Sequence, residues 1–499
     1  MTLRNVDYQD MQGLVRFGYG SLTDSCFLLL NIRERVAARK WLSQAPVSNA
    51  GRLERGPEHA LQVAFTAKGL RAIGVPEVIL AGFSNEFISG LSGDESRSRR
   101  LGDVGVNSPD NWRWGTPGNV PDMVLLLYSG PGKLDVWRQQ IRGPVWEATF
   151  AEIECLPTSN LFGVEPFGFK DGISQPEPDW ENRRGYRDVE SDYTNRIALG
   201  EFLLGYPNEY GKYTDRPLLP QEPSIASLPT AEDQPDKRDF GRNGSYLVIR
   251  QLEQNVPAFW QSINRCAAND PAARARISAA MVGRHLDGHP LIPVWSDPTD
   301  GVSKDDASMN DFTYDGDAAG VQCPLGAHVR RANPRTADSP GGKRGLLGSL
   351  LRMLGFPRQD MRSDIIASSR FHRILRRGRE YGPGLSPQDA LTAGADSGQG
   401  ERGIYFICLN ANIARQFEFI QNAWMMNTKF DGLGEEDDPL LGHQSPVSGT
   451  QNSDSFSIPH SHGVREHFSG LPAFVTVRGG AYFVLPGISA LRYIAQLND

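Results

Sequence analysis

The chain has 499 residues, 39% of them hydrophobic and 22% charged, the balance of an ordinary soluble globular protein with room for two to four domains. A formal net charge of −7 argues against general affinity for nucleic acid or an anionic membrane, which both ask for a basic surface, and no apolar run approaches the roughly 20 residues of a membrane helix. Five scattered cysteines (Cys26, Cys155, Cys266, Cys323, Cys408) make neither a disulfide framework nor a Cys-x-x-Cys pair, and MTLRNVDYQDMQG lacks the apolar core of a secretory leader, so the expected setting is the reducing cytoplasm.

In chain order, SCFLLLNI (25–32) predicts a buried strand and RERVAARKWLSQ (33–44) the helix after it. VAFTAKGLRAIG (63–74) runs into a second helix, DMVLLLYSG (122–130) is a strand, and VWEATFAEIECLP (145–157) alternates as a further one. In the second half, GSYLVIRQL (244–252) predicts a strand followed by a helix in EQNVPAFWQSINRCA, and RGIYFICLN (402–410) a strand followed by helical ANIARQFEFIQNAWM. FVTVRGGAYFVLP (474–486) predicts a hairpin turning at Gly479–Gly480, and ISALRYIAQL a last helix. The expected architecture is therefore two α+β units, each an antiparallel sheet with helices on one face. A polar, proline-rich connection (177–240) and an Arg-, Gly- and Ser-rich stretch (about 336–370) are expected as loops or insertions.

FGFKDGISQP (167–176) holds an aspartate between glycines. Gly168 and Gly172 permit backbone conformations and close approaches closed to other residues. Asp171 then reads either as a turn residue capping nearby N–H groups or as a proton-handling group beside something bulky. His328, in CPLGAHVRRANPR, reads as a surface histidine or as an axial ligand to iron. His460, His462 and His467 form a cluster with no carboxylate or cysteine at matching spacing, which favours a solvated loop over a metal site. Asp311, Asp315 and Asp317 lack the alternation and closing glutamate of a calcium loop. FHRILRRGREYG (371–382) is a basic stretch in which one arginine could turn inward toward an anion.

Together and in this order these segments resemble the dye-decolourising (DyP-type) haem peroxidases. Gly168-Phe169-Lys170-Asp171-Gly172 matches that family's Gly-x-x-Asp-Gly signature. Cys323, Pro324, Ala327, His328, Arg330, Pro334 and Arg335 match its proximal histidine segment, and His372, Ile374, Arg376, Gly378, Tyr381 and Gly382 its distal arginine segment. The insertion at about 336–370 lengthens the spacing between these two segments and leaves both Arg376 and Arg377 as candidates for the inward arginine.

The resemblance implies two ferredoxin-like halves in a DyP-type α+β barrel-like fold: residues 1–176 ending in the Gly-x-x-Asp-Gly loop, a connection over 177–240, and a haem-carrying half over 241–499. It implies one non-covalent haem b per chain, with His328 as the iron's axial ligand and Gly172, Ile173, Ser174, Arg335 and Arg376 as haem contacts. Asp171 and Arg376 are implied as the catalytic pair that cleaves hydrogen peroxide, after which the oxidised haem takes electrons from dyes, phenols or other one-electron donors. Trp112, Trp114, Trp180, Trp260 and Trp424 are available for electron transfer from bulky reductants. Many relatives place an aspartate against the proximal histidine's second N–H, and alignment puts Asn412 there. No nucleic-acid or membrane partner is expected from the charge and hydropathy, and a homo-oligomer is left open. A haem carrier or sensor of the same fold is the alternative, disfavoured by the polar Asp–Arg pair, which a carrier does not need.

Overall fold

The computed structural model describes residues 6–52, 56–181, 195–294, 308–310, 312–335, 368–394, 400–444 and 453–497. Most of the 336–370 insertion (336–367) lies outside them, as does Asp311. In the first half the order is β1 (Asp24–Ile32), α1 (Arg35–Gln44), β2 (His59–Phe65), β3 (Met123–Ser129), α2 (Leu134–Arg142) and β4 (Phe150–Pro157). The strands lie side by side as β2-β3-β1-β4, all antiparallel, the ferredoxin-like arrangement. The second half repeats it. Here β5 (Ser245–Gln254) leads into α3 (Val256–Cys266), then the short β6 (Leu375–Arg376) and β7 (Arg379–Tyr381), β8 (Gly403–Asn410), a helix of wide π-type turns over Ala414–Met425, β9 (Val475–Leu485) and α4 (Ile488–Ala495). Its order is β6-β8-β5-β9.

The two half-sheets join where Val484 of β9 pairs with Phe65 of β2. At the opposite seam the Ser159 N–H, just past β4, donates to Glu380 O of β7 at 2.8 Å, so the sheet curls into a nearly closed barrel. Phe27 of β1 and Tyr405 of β8 meet edge to face across its interior at 5.8 Å. Leu29, Leu126, Ile407 and Phe483 fill the same interior, while Leu28, Leu61, Leu125 and Val248 face the helices outside. Strands covered on both faces need apolar residues at every position, which is why SCFLLLNI and DMVLLLYSG read as unbroken runs. The 177–240 connection sends Leu199, Phe202, Leu203 and Tyr206 into the interior core, so it packs as part of the barrel.

Two local expectations are overturned. VWEATFAEIECLP begins as a helical turn (Trp146–Thr149) in which Trp146 packs against Trp41 and Phe150, and only Phe150–Pro157 is strand. FVTVRGGAYFVLP is one strand, with a register shift between Val477 and Gly479, and its two glycines make room for a neighbour. A Cβ on Gly479 would stand 2.5 Å from Trp114 Nε1, and one on Gly115 would stand 2.0 Å from Gly480 O. Gly115 also has φ +79°, in the left-handed region. Gly115→Ala is therefore expected to lose about 2–5 kcal/mol, summing the left-handed penalty and the forced repacking, read as a lower midpoint in chemical denaturation.

Candidate active site

A cavity of about 560 Å³ opens between the β5–β8 face of the second half, the loop after β4 and the segments that connect β5 to β9. Its apolar wall includes Phe169, Leu252, Ile374, Phe406, Phe417 and Leu440. Asp171, Gly172, Ile173, Ser174, His328 and Arg376 all line it. Residues far apart in sequence thus share one chamber.

Asp171 is carried by a loop that its own sequence stiffens. Glu165 accepts the N–H groups of Phe167 and Phe169, each at 3.0 Å, and the Gln254 amide at 2.8 Å. Burial pushes the Glu165 carboxyl up to about 7 against those three donors, and Asp171 adds to the rise. Gly168 (φ +103°) and Gly172 (φ +86°) take the left-handed turns that bring Asp171 to the cavity, and a Cβ on Gly172 would meet nothing within 4 Å. Asp171 Oδ1 accepts from Arg376 Nη1 at 3.0 Å. Burial works to raise the Asp171 pKa, but the Arg376 guanidinium and the Gly172 N–H outweigh it and hold it below the usual value.

Arg376 stands on the two-residue strand β6, paired with Cys408 of β8. Gln175 clamps its backbone: the Arg376 N–H donates to Gln175 Oε1 at 3.1 Å, and Gln175 Nε2 donates to Arg376 O at 3.2 Å. Arg377 sends its guanidinium to Leu14 O and Val15 O instead, so Arg376 is the arginine that meets Asp171.

His328 begins a short helix (His328–Ala332), and its Nδ1 lies 2.9 Å from Asp438 Oδ2. That contact leaves Nε2 as the ring nitrogen able to serve the cavity. Asp438 is fully buried and its other oxygen accepts the N–H groups of Leu440 (2.9 Å) and Leu441 (2.8 Å), which fixes the carboxylate. Burial alone would lower the His328 pKa; the Asp438 carboxylate reverses this and raises it. Asn412 does not take this part. Its side chain accepts the Arg415 N–H at 2.9 Å, capping the helix after β8 as asparagine commonly does.

Arg335 is also misplaced by the resemblance. At φ +57° its chain turns away, and its buried guanidinium donates to Asn310 O, Phe312 O and Asn310 Oδ1 and lies 3.8 Å from the centre of the Phe312 ring. Arg284, by contrast, lines the cavity and donates to Ser174 Oγ at 2.9 Å and to Gly288 O and Met309 O. Burial and then the like charges of Arg335 and Arg376 lower its pKa to about 10, and among the described residues no carboxylate forms an ion pair with it. Neither Arg284, in MVGRHLDG, nor Asp438, in the acidic run GEEDDPLLG, carried a readable signal.

The remaining histidines lie elsewhere. His372 stacks on Phe419 at 3.6 Å, and burial lowers its pKa to about 4. His460 pairs with Glu466 at 3.0 Å and His467 Nδ1 with Ser457 Oγ at 3.0 Å, at the surface. Of the five tryptophans named above, Trp112, Trp114, Trp260 and Trp424 are buried and Trp180 is partly exposed, its ring 5.6 Å from Tyr8. No described helix is long and apolar enough to cross a membrane.

A fixed imidazole, a paired carboxylate and guanidinium, a buried arginine with no ion-pair partner among the described residues and broad apolar walls fit a haem. The imidazole would suit an iron, the carboxylate–guanidinium pair a peroxide, the arginine a propionate and the apolar walls a macrocycle. No protein-family profile matches the chain. It is 28% identical over 464 residues to the dye-decolorizing peroxidase msp1 of Mycetinis scorodonius, covering 88% of this chain and 77% of that protein. It is likewise 28% identical over 445 residues to the multifunctional dye peroxidase DyP2 of an Amycolatopsis species, covering 87% and 81%. In structure it matches a fungal DyP-type peroxidase from Auricularia auricula-judae with a TM-score of 0.72, at 25% identity over 99% of this chain and all of that one.

Proposed function

We propose that this chain, a relative of the dye-decolorizing peroxidases in fold and along most of its sequence, is a haem-dependent peroxidase that reduces hydrogen peroxide at the expense of an aromatic or other one-electron donor. The observation that carries the reading is the Asp171–Arg376 pair, 3.0 Å apart in the same chamber as the Asp438-supported His328.

His328 Nε2 is the residue to hold haem iron, Arg284 to pair with a propionate, and Gly172, Ile173 and Ser174 to lie against the macrocycle. Bound haem supplies the electrons that break the peroxide O–O bond. The chain supplies the proton transfer. Asp171, kept anionic by Arg376, takes the proton from one peroxide oxygen and delivers it to the other, which leaves as water. Arg376 stabilises the negative charge that gathers on the departing oxygen before the proton arrives. Gln175 and Glu165 hold the two groups in register, so little reorganisation is needed when peroxide enters. A carrier would need none of this apparatus.

The deciding experiment is a spectrum of the haem-loaded protein. Expected is a Soret band that shifts on adding peroxide and returns with a reducing dye; a band indifferent to peroxide would leave the site without its assigned chemistry. Asp438→Asn keeps the hydrogen bond to His328 and removes the charge behind it. It should raise the iron's reduction potential in spectroelectrochemical titration and cost about 10- to 100-fold in haem affinity or activity, as loss of such outer partners does. An unchanged potential would deny Asp438 a hand in tuning the ligand.

A further inference from the structure

Cys26 and Cys155 lie on neighbouring strands away from the cavity. In the β1–β4 ladder Leu28 pairs with Cys155 and Cys26 with Pro157, so the cysteines are diagonal neighbours on the sheet's outer, helix-covered face. Cys26 is buried, whereas Cys155 is half-buried on the edge strand, and Arg138 of α2 reaches over it with Nη1 3.8 Å from Sγ.

We propose that Cys155 is a peroxide-reactive thiol and that Cys26 resolves it, the two closing into a disulfide that staples β4 to β1. The charged groups facing the pair agree. The hydrogen bond from Cys26 comes first in lowering the Cys155 pKa to about 7; burial opposes it, Arg138 assists, and Glu152 opposes weakly. The Cys26 thiol is pushed up, chiefly by that same hydrogen bond and by burial, with Arg138 and Arg142 pulling the other way. One sulfur is thus prepared to attack and the other to keep its proton. Cys266, Cys323 and Cys408 are all raised, by burial first.

The chemistry balances with hydrogen peroxide as the oxidant. The Cys155 thiolate attacks one peroxide oxygen and the O–O bond breaks. The departing hydroxide takes a proton from solvent and leaves as water, while Cys155 becomes a sulfenic acid, oxidised by two electrons. Cys26 sulfur then attacks Cys155 sulfur. The S–O bond breaks, and the hydroxide leaves as water with the Cys26 proton. Overall, two thiols and one peroxide give one disulfide and two waters. The sulfurs must close to about 2.05 Å, a shift that β4, the end strand of the sheet, is placed to make. The reaction needs peroxide and these two thiols alone, and so stands apart from the haem reading.

The test is non-reducing peptide mapping of the haem-loaded protein after excess hydrogen peroxide, with free thiols alkylated. Expected is a cross-linked peptide joining Cys26 to Cys155 while Cys266 stays alkylatable, with Cys155 the fastest thiol to label at pH 7, by about tenfold over Cys266. In Cys26→Ala, Cys155 should stop at a sulfenic acid trapped by dimedone, and Arg138→Gln should slow its labelling several-fold. The disulfide should form equally fast in His328→Ala. The proposal fails if Cys155 overoxidises in the wild type with Cys26 still alkylatable, if neither reacts, or if the bond forms only in haem-loaded protein.

Discussion

Asp171→Asn should slow the reaction with hydrogen peroxide by about a hundred- to ten-thousand-fold, the usual cost of a lost general base. The amide keeps the shape of the side chain and its bond to Arg376, and it removes the proton acceptor. Arg376→Leu removes the charge that stabilises the departing oxygen, a loss of about a hundred- to a thousand-fold. It also releases Asp171 from the neighbour that lowers its pKa, so the acid limb of the rate profile should move to higher pH. The sign follows from the lowered value: in the wild type Asp171 stays ionised as pH falls through the ordinary carboxylate range, and without Arg376 it protonates earlier. Both groups serve one transition state, so the double variant should be little worse than the weaker single. Stopped-flow mixing with peroxide measures all three. Wild-type rates in both singles would return Asp171 to the role of a turn residue.

His328→Ala should abolish haem retention, because the structure supplies a supported imidazole at the cavity and the chain has no covalent attachment motif. Asp438 would then be a fully buried carboxylate whose imidazole partner has gone, at an expected cost of several kcal/mol unless it takes up a proton or water enters. Absorbance at the Soret band per mole of purified chain, beside a denaturation curve, separates lost haem from lost fold. Full occupancy with an unchanged spectrum would remove His328 from the iron.

What the sequence made legible follows from where each signal is stored. Strands buried on both faces announce themselves as apolar runs, and the helices after them by amphipathic spacing, so both ferredoxin-like halves could be read in order. The Gly-x-x-Asp-Gly loop was readable because its glycines answer to local backbone needs. Gly479–Gly480 misled for the converse reason: their need is set by Trp114 and Gly115, hundreds of residues away. Arg335 and Arg284 differ in which way a guanidinium turns, and only packing decides that. Asn412 and Asp438 are separated by a helix and a loop whose course brings the second, not the first, beneath His328. Spacing holds no record of such a meeting.

The last helix has a consequence for how the protein is made. α4 lies against α1, and Arg39 of α1 donates to Leu497 O at 2.9 Å, while Gln12 donates to Pro486 O at 3.0 Å. Domains emerging from a ribosome ordinarily fold in the order they are synthesised. Here the first half leaves the ribosome with the part of α1 that meets α4 uncovered, because α4 is translated only after both half-sheets. β9, which also joins the two half-sheets, arrives just before that helix. Barrel and cavity are thus completed together, only once β9 and α4 have been made, and the early half must be kept from aggregating for the time it takes to make the other.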